Sequence, residues 1–502
     1  MQAPDLIPVI PELILLVAAC LVLLVEAFVK PGAADKGSPA DKGAPAAADK
    51  TAVLAIALTG IIGSIVVSLA LTGQDRVSFA GMLALDDWAV FFKVLFGLGA
   101  AITILMSPRF LEAHRRHLGE YYALLLFALI GMDLMAAARD FILLYVSLEL
   151  MAISSYLLAA FFRYRERSNE SALKYFLTGS FASAIMLYGI SLVYAEAGAT
   201  NYADAGRVLA GLGNDSGVLL AVFLVAIGLA FKVSAAPFHM WTPDVYQGAP
   251  TPVAAFFSVG PKAAAFSAII AAFIVAFPGT VKEWGLLFIV LSIATMLVGN
   301  LWALVQTNIK RMLAFSSVAH AGYLLTGLGA MGWSGNSLPG RGMLVYLAAY
   351  TFMNLGAFGI LAYLKTQMPD KFDYSLKQLA GLGRRSPWAA ALLSLFLLSL
   401  TGIPGTAGFI GKFYVFSGVV WADLWWLAVI GVLLSAVSAY YYLRVIIYMF
   451  FKEPEEEYAI REPISGGMAM ALSVSAIATL VIGLVPSWLW DAAVSAVRML
   501  FD

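Results

Sequence analysis

Several charged residues of this 502-residue chain stand where hydrocarbon surroundings would favour leucine: Glu149, Lys174, Lys232, Lys262 and Lys412, each inside a long apolar run. A charged side chain at the centre of a membrane helix costs roughly 2.5–3.5 kcal/mol on insertion scales. Four lysines and a glutamate therefore represent on the order of 10 kcal/mol that packing alone does not require. Such residues are expected to face the interior of a helix bundle, pair with one another and line an ion path. Lysine suits protons in particular, because desolvation weakens its hold on a proton and a neighbouring carboxylate restores it. Glu149 with Lys174, from adjacent apolar segments, is the expected ion pair. His320, in RMLAFSSVAHAGYLL, falls about ten residues into another segment; its imidazole suits a proton relay or a hydrogen-bonded packing role.

Two of the lysines lie beside helix breakers. Lys232 precedes Pro237 in LAFKVSAAPFHMWTPDVYQGAPTPV, and Lys412 follows Pro404 in TGIPGTAGFIGKFYVF. Pro and Gly within a span unwind a turn and free backbone carbonyls, which is tolerated only against protein or a watery cavity. Interrupted helices at matching places in two halves point to a transport site. His239, just past Pro237, can cap the freed carbonyls or relay a proton.

The elements that would hold these groups are spans. The chain is 61% apolar and 12% charged, with a mean hydropathy of +0.87, far from soluble proteins and consistent with an all-α polytopic membrane protein. Fourteen spans are expected, near 6–28, 52–72, 87–107, 120–138, 141–162, 171–195, 216–245, 251–276, 283–306, 309–331, 341–364, 388–419, 423–449 and 466–489. VAAC at Val17 to Cys20 loosely matches a lipoprotein cleavage box. No basic residue precedes it, so 6–28 reads as an uncleaved span. Residues 31–50, with a repeated ADKG, read as a disordered or loosely packed linker.

With the N-terminus outside, nineteen Lys and Arg fall in inner loops and six in outer ones, which places both termini in the periplasm. The other six of the 31 basic residues lie within spans. Among these, Lys93 is near an outer span end, where its stem can snorkel, and Arg444 beside Tyr440, Tyr441 and Tyr442 reads as an anchor. Asp133 lies close to the outer boundary, within reach of water.

Zero net charge gives no bias towards nucleic acid, and one cysteine excludes an iron–sulfur cluster or a thiolate zinc site in this chain. Four histidines leave little scope for haem. Spans seven and twelve each stand fourth in a group of five, and a five-span unit repeated once must be inverted. The expected organisation is an N-terminal three-helix region (1–119), two inverted repeats each holding one broken helix (120–276 and 277–450), and a C-terminal helix (451–502).

ESALKYFLTGSF, FKVSAAPFHMWTPDVYQGAPTPVAAFFSVGPKAAAF, IKRMLAFSSVAHAGYLL and GIPGTAGFIGKFYVF resemble the antiporter-like membrane subunits of bacterial proton-pumping NADH–quinone oxidoreductase (respiratory complex I), in the subunit N form. The resemblance covers nearly the whole chain apart from 31–50. It implies proton transfer through Glu149, Lys174, Lys232, Lys262 and Lys412 in the inner membrane, and partnership with a neighbouring antiporter-like subunit and small membrane subunits. It also implies no redox cofactor in this chain, with NAD, FMN, iron–sulfur clusters and quinone handled by partner subunits. Asp133 and the AARD turn at Ala137 to Asp140 stand where the resemblance leads one to expect Met and an SAND-like turn. A subunit of a multisubunit cation/proton antiporter shares the fingerprint, and an autonomous solute carrier is a more distant alternative.

Overall fold

The computed structural model describes residues 5–28, 50–369, 371–454 and 463–501; most of the 31–50 linker lies outside them. Where no water reaches the backbone, a chain this apolar satisfies its peptide groups within helices. An N-terminal layer holds α1 (Ile10–Phe28), α2 (Thr51–Ala70) and α3 (Asp87–Met106). Between α2 and α3 lies a small antiparallel hairpin, β1 (Arg76–Ser78) with β2 (Leu83–Leu85), a local departure from the all-α expectation.

A short α4 (Pro108–Ala113) leads to α5 (Gly119–Ala137), α6 (Phe141–Ala159), the long α7 (Glu166–Ala197) and the short α8 (Tyr202–Leu212). Then come α9 (Ser216–Lys232) and α10 (Trp241–Gly248), the two pieces of an interrupted span, and α11 (Thr251–Ala276). The remainder runs through α12 (Val281–Leu304), α13 (Ile309–Ser334), α14 (Leu338–Gln367) and the one-turn α15 (Leu382–Arg385). A second interrupted span is α16 (Pro387–Thr401) with α17 (Ala407–Trp421), followed by α18 (Trp425–Phe451), α19 (Gly466–Leu484) and α20 (Ser487–Arg498).

Among the described residues, eleven helices are long and apolar enough to cross a membrane. The more polar α13 and the interrupted pairs α9–α10 and α16–α17 stand outside that group, so length and composition alone do not establish the expected fourteen. Where 466–489 reads as one span, Pro486 ends α19 and the chain continues as α20, which lies against α3 and α14.

The bundle has a graded interior. The apolar stretch of α14 is buried throughout and that of α11 nearly so, whereas α2 buries only a third of its own. The most enclosed helices, α11, α13 and α14, carry Lys262, His320 and Tyr346.

Three sequence readings of charged residues change. Arg444 donates to the carbonyls of Leu304 (2.9 Å) and Gln306 (2.6 Å), so it closes the C-terminal end of α12 rather than anchoring at the interface. Lys93 and Asp133 are buried, not snorkelled or solvated, because α1, α3 and α5 pack around them. The AARD turn is structural: Arg139 pairs with Asp86, the N-cap of α3, while the Asp140 carboxylate caps α6 by accepting from Ile142 N at 2.7 Å.

Candidate functional site

α9 is a helix because VLLAVFLVAIGLAF offers an unbroken apolar surface, and it stops at Lys232 because Ser234 turns left-handed (φ 63°) ahead of Pro237. Several polar groups at the eight-residue break find partners. Trp241 Nε1 donates to the Phe231 carbonyl at 3.1 Å, Thr295 Oγ1 of α12 accepts from Ala236 N at 2.9 Å, and Thr242 donates to Ser234 at 2.8 Å. Trp241 thus caps the end of α9, while His239 Nδ1 is buried with no hydrogen-bond partner among the described residues. Pro237 and Met240 lie exposed at the edge of the break.

Lys232 is the last residue of α9, at the negative end of its dipole, and is 2% exposed. Among the described residues its Nζ has one hydrogen bond, to the Tyr156 hydroxyl at 3.3 Å. The ammonium otherwise faces the rings of Tyr156, Phe231 and Tyr175 at 5.3, 5.7 and 5.8 Å. Glu149 on α6 is the carboxylate that acts on it.

The expected ion pair between Glu149 and Lys174 is not formed. Lys174 Nζ lies 2.7 Å from Glu170, one turn back on the same helix, and 2.9 Å from Asp244 on α10. Its side chain is 46% exposed, since it sits near the start of α7 and can reach the inner face. Asp244 in turn holds Arg311 of α13 at 2.6 Å, and Arg311 also donates to Gln247 at 3.0 Å. Glu149 keeps a buried Oε1 with no hydrogen-bond partner among the described residues. Asp244 and Arg311 are site residues that sequence reasoning missed. The available signal was an aspartate in PDVYQG immediately after the helix break, and an arginine counted only towards loop charge.

Lys262 follows Pro261 within α11. Its Nζ donates to the Ser317 carbonyl at 3.2 Å and to the Ser317 hydroxyl, and lies 5.8 Å from the Tyr246 ring. Tyr246 in turn meets the Ser317 hydroxyl at 3.4 Å. One turn along α13, His320 is bonded at both nitrogens, to the hydroxyl of Tyr346 and, at 3.1 Å, to that of Tyr442. The Tyr442 hydroxyl also meets Ser316, so α11, α13, α14 and α18 converge on one buried polar run. On the side of Lys232, the rings of Tyr175 and Trp241 stack at 4.4 Å, between that lysine and Tyr246.

The second break is tighter. Gly402 (φ 97°) and Gly405 (φ 85°) take left-handed conformations around Pro404, which glycine adopts at least cost. A Cβ on Gly408 would lie 1.8 Å from the Ser399 carbonyl oxygen, so only glycine lets the two half-helices approach this closely. Lys412, on the first turns of α17, reaches back to the carbonyls that the break frees: Leu400 at 2.9 Å and Thr401 at 2.8 Å. Ser435 Oγ accepts a third bond at 2.7 Å, and the ammonium stands 5.1 Å from the Tyr323 ring. Tyr323 packs edge-on against His320 at 5.6 Å and thereby joins the central run to Lys412. A cavity of about 770 Å³ opens beside Lys412 between α17 and α18.

Thus Lys232, Lys262, His320 and Lys412 are buried on the interior of the bundle, with hydroxyls or carbonyls at each ammonium, whereas Lys174 lies at an edge. Two interrupted helices joined by buried lysines define an antiporter-like membrane subunit. Residues 138–438 match the family described as NADH:quinone oxidoreductase/Mrp antiporter, transmembrane, and the chain belongs to it. It is 44% identical to NADH-quinone oxidoreductase subunit N of Trichlorobacter lovleyi, over 99% of this chain and 98% of that protein. It also resembles a chain of respiratory complex I from Thermus thermophilus with bound aureothin, with 33% identity and a TM-score of 0.78 over 96% of this chain and 99% of that one. A chain of the Mrp complex from a Dietzia species shares the fold at 20% identity, with a TM-score of 0.82 over 99% of this chain and 97% of that chain.

Proposed function

We infer that the chain is the proton-translocating, antiporter-like membrane subunit N of an NADH–quinone oxidoreductase, seated among the other membrane subunits of that complex. The observation that carries this reading is the buried series Lys232, Lys262, His320 and Lys412, anchored at two helix breaks, in a chain this similar to subunit N proteins. Protons enter from the cytoplasmic side near Lys232, pass Lys262 and His320, and leave towards the periplasm beside Lys412. A buried ammonium gives up its proton more readily when a neighbouring negative charge or acceptor moves away, as the side chains around Lys232 can. Two inverted five-helix units, each with one broken helix, supply the two half-channels, and the chain itself carries no electrons. Both termini face the periplasm, which labelling of single cysteines placed near either end would check.

Glu149 acts on Lys232 across the bundle, so a change in the partner of Lys174 would be transmitted to Lys232 through Glu149. The test is replacement of Lys232 or Lys412 by Ala, with proton pumping and NADH-driven quinone reduction measured in reconstituted complex. Loss of pumping is expected; intact pumping with either lysine gone would sink the role. The fold shared with an Mrp complex keeps a cation/proton antiporter subunit as the second reading. Co-purification with cation-antiporter chains, rather than redox subunits, would favour it.

A further inference from the structure

Away from the lysine series, the N-terminal layer buries a second set of charges. Glu12 lies in the first turn of α1, Lys93 two turns into α3, and Asp133 one turn before the end of α5. All three are therefore at the end of the bundle that carries the β-hairpin and the Asp86–Arg139 pair. Lys93 Nζ is 2.8 Å from Glu12 Oε1 and donates to the Pro8 carbonyl at 3.3 Å, with neither side chain reaching the surface. Asp133 is 1% exposed, and neither of its carboxyl oxygens has a hydrogen-bond partner among the described residues. The charged groups that act on Asp133 are Glu12 from α1 and Lys93 from α3, the two helices other than α6 that pack most closely against α5.

The charge count decides the chemistry. Two carboxyl groups face one ammonium. Lys93 already neutralises Glu12, so an ionised Asp133 would be a buried anion with no donor, which is far costlier than a neutral carboxyl. We propose that Glu12, Lys93 and Asp133 form a buried proton-binding site in which Asp133 takes up and releases one proton through the hairpin end of the bundle, independently of the lysine series. Uptake converts the Asp133 carboxylate to a carboxylic acid; release returns the proton to the same face, and no other bond changes. Lys93 sets the stoichiometry: with it charged, the site holds one proton on two carboxyl groups.

Infrared spectra of the intact complex, with aspartate carrying a heavy-carbon carboxyl label, test this as pH is varied. A label-shifted carboxylic-acid band that fades as pH rises is expected, and it should be absent from the Asp133→Asn complex. Glu12→Gln removes the competing carboxylate and leaves Asp133 as the one acting on Lys93, so the band should fade at a lower pH there while Asp133 remains. Lys93→Met, where the complex assembles, should add an unlabelled carboxylic-acid band from Glu12. A band set unchanged by Asp133→Asn, or a band whose pH of fading is the same with and without Glu12, would overturn the proposal. So would a band that disappears when sodium replaces choline at fixed pH, since the site would then hold a cation instead of a proton.

Discussion

The two broken helices hold their lysines in opposite ways. At the first, Lys232 ends α9 and finds one long hydrogen bond, to Tyr156, among aromatic faces; its carboxylate neighbour Glu149 acts from a distance. At the second, Lys412 crosses the break and takes three acceptors, two of them the carbonyls of Leu400 and Thr401. Both ammonium groups stand at the C-terminal, negative end of the first half-helix, so the dipole favours charge at each. The difference lies in what can move. Backbone carbonyls at Lys412 are fixed by the fold, while the groups around Lys232 are side chains that can swing away. The first break is suited to switching the charge of its lysine, and the second to holding it.

The largest effect that sharpens this contrast is on pumping and stability together. Lys232→Met and Lys412→Met should each lower proton pumping at least ~10-fold, as expected when a positioned proton carrier is lost. Only the second strands two carbonyls, one buried and one partly so, at about 1–3 kcal/mol for a buried unsatisfied group. The thermal transition of the purified complex should therefore fall for Lys412→Met and change little for Lys232→Met. Equal falls would break the comparison.

Next in size are the hydroxyls. Tyr156→Phe removes the one hydrogen bond to Lys232, a net loss of about 1 kcal/mol, and should slow pumping several-fold. Ser435→Ala leaves Lys412 its two carbonyls and should change the rate by less than about twofold. Rates from reconstituted vesicles decide it, and a larger effect at Ser435 would reverse the assignment.

Much of this was legible in the sequence because the membrane imposes it. An apolar run must become a helix to satisfy its backbone, so α11 spans 251–276 as read, and the breaks fall at Pro237 and around Pro404. The lysines were legible for the same reason, since a charge in hydrocarbon has no cheap explanation. Pairing was not legible. Lys174 pairs with Glu170 and Asp244 and not with the expected Glu149, and only the packing of α10 against α7 settles which carboxylates it meets. Depth was equally hidden for Lys93 and Asp133. A span-end position reads as wet until α1 is seen to cover it. The tyrosine rings that surround Lys232 also leave no local signal, because Tyr156 and Tyr175 come from other helices.

Backbone strain gives a smaller, opposite pair of effects. Gly402→Ala places a side chain at φ 97° and brings its Cβ to 3.2 Å from Lys412 Cδ, so a loss of roughly 1–2 kcal/mol is expected. Ser234→Gly relieves a left-handed serine at the first break but forfeits its bond from Thr242, leaving stability within about 1 kcal/mol of the parent. Thermal unfolding of the two variants measures both; a marked loss at Ser234 would show that the first break is as rigidly built as the second.

The smallest expected effect concerns the charge that could set the first break in motion. Asp244→Asn removes one of the two carboxylates that draw Lys174 towards the inner face and leaves Glu170, a half-exposed pair whose strength is limited by solvent. Stability should change by less than ~1 kcal/mol, and pumping only modestly. Yet the substitution should matter more when Glu149 is present than when it is absent, because the freed ammonium can then turn to the unpartnered Glu149 oxygen and weaken its hold on Lys232. A double-mutant cycle of Asp244→Asn with Glu149→Gln, read as pumping rate, makes the coupling visible. Effects that simply add would mean that Lys174 does not exchange partners, and the mobile environment of Lys232 would then reduce to Tyr156 alone.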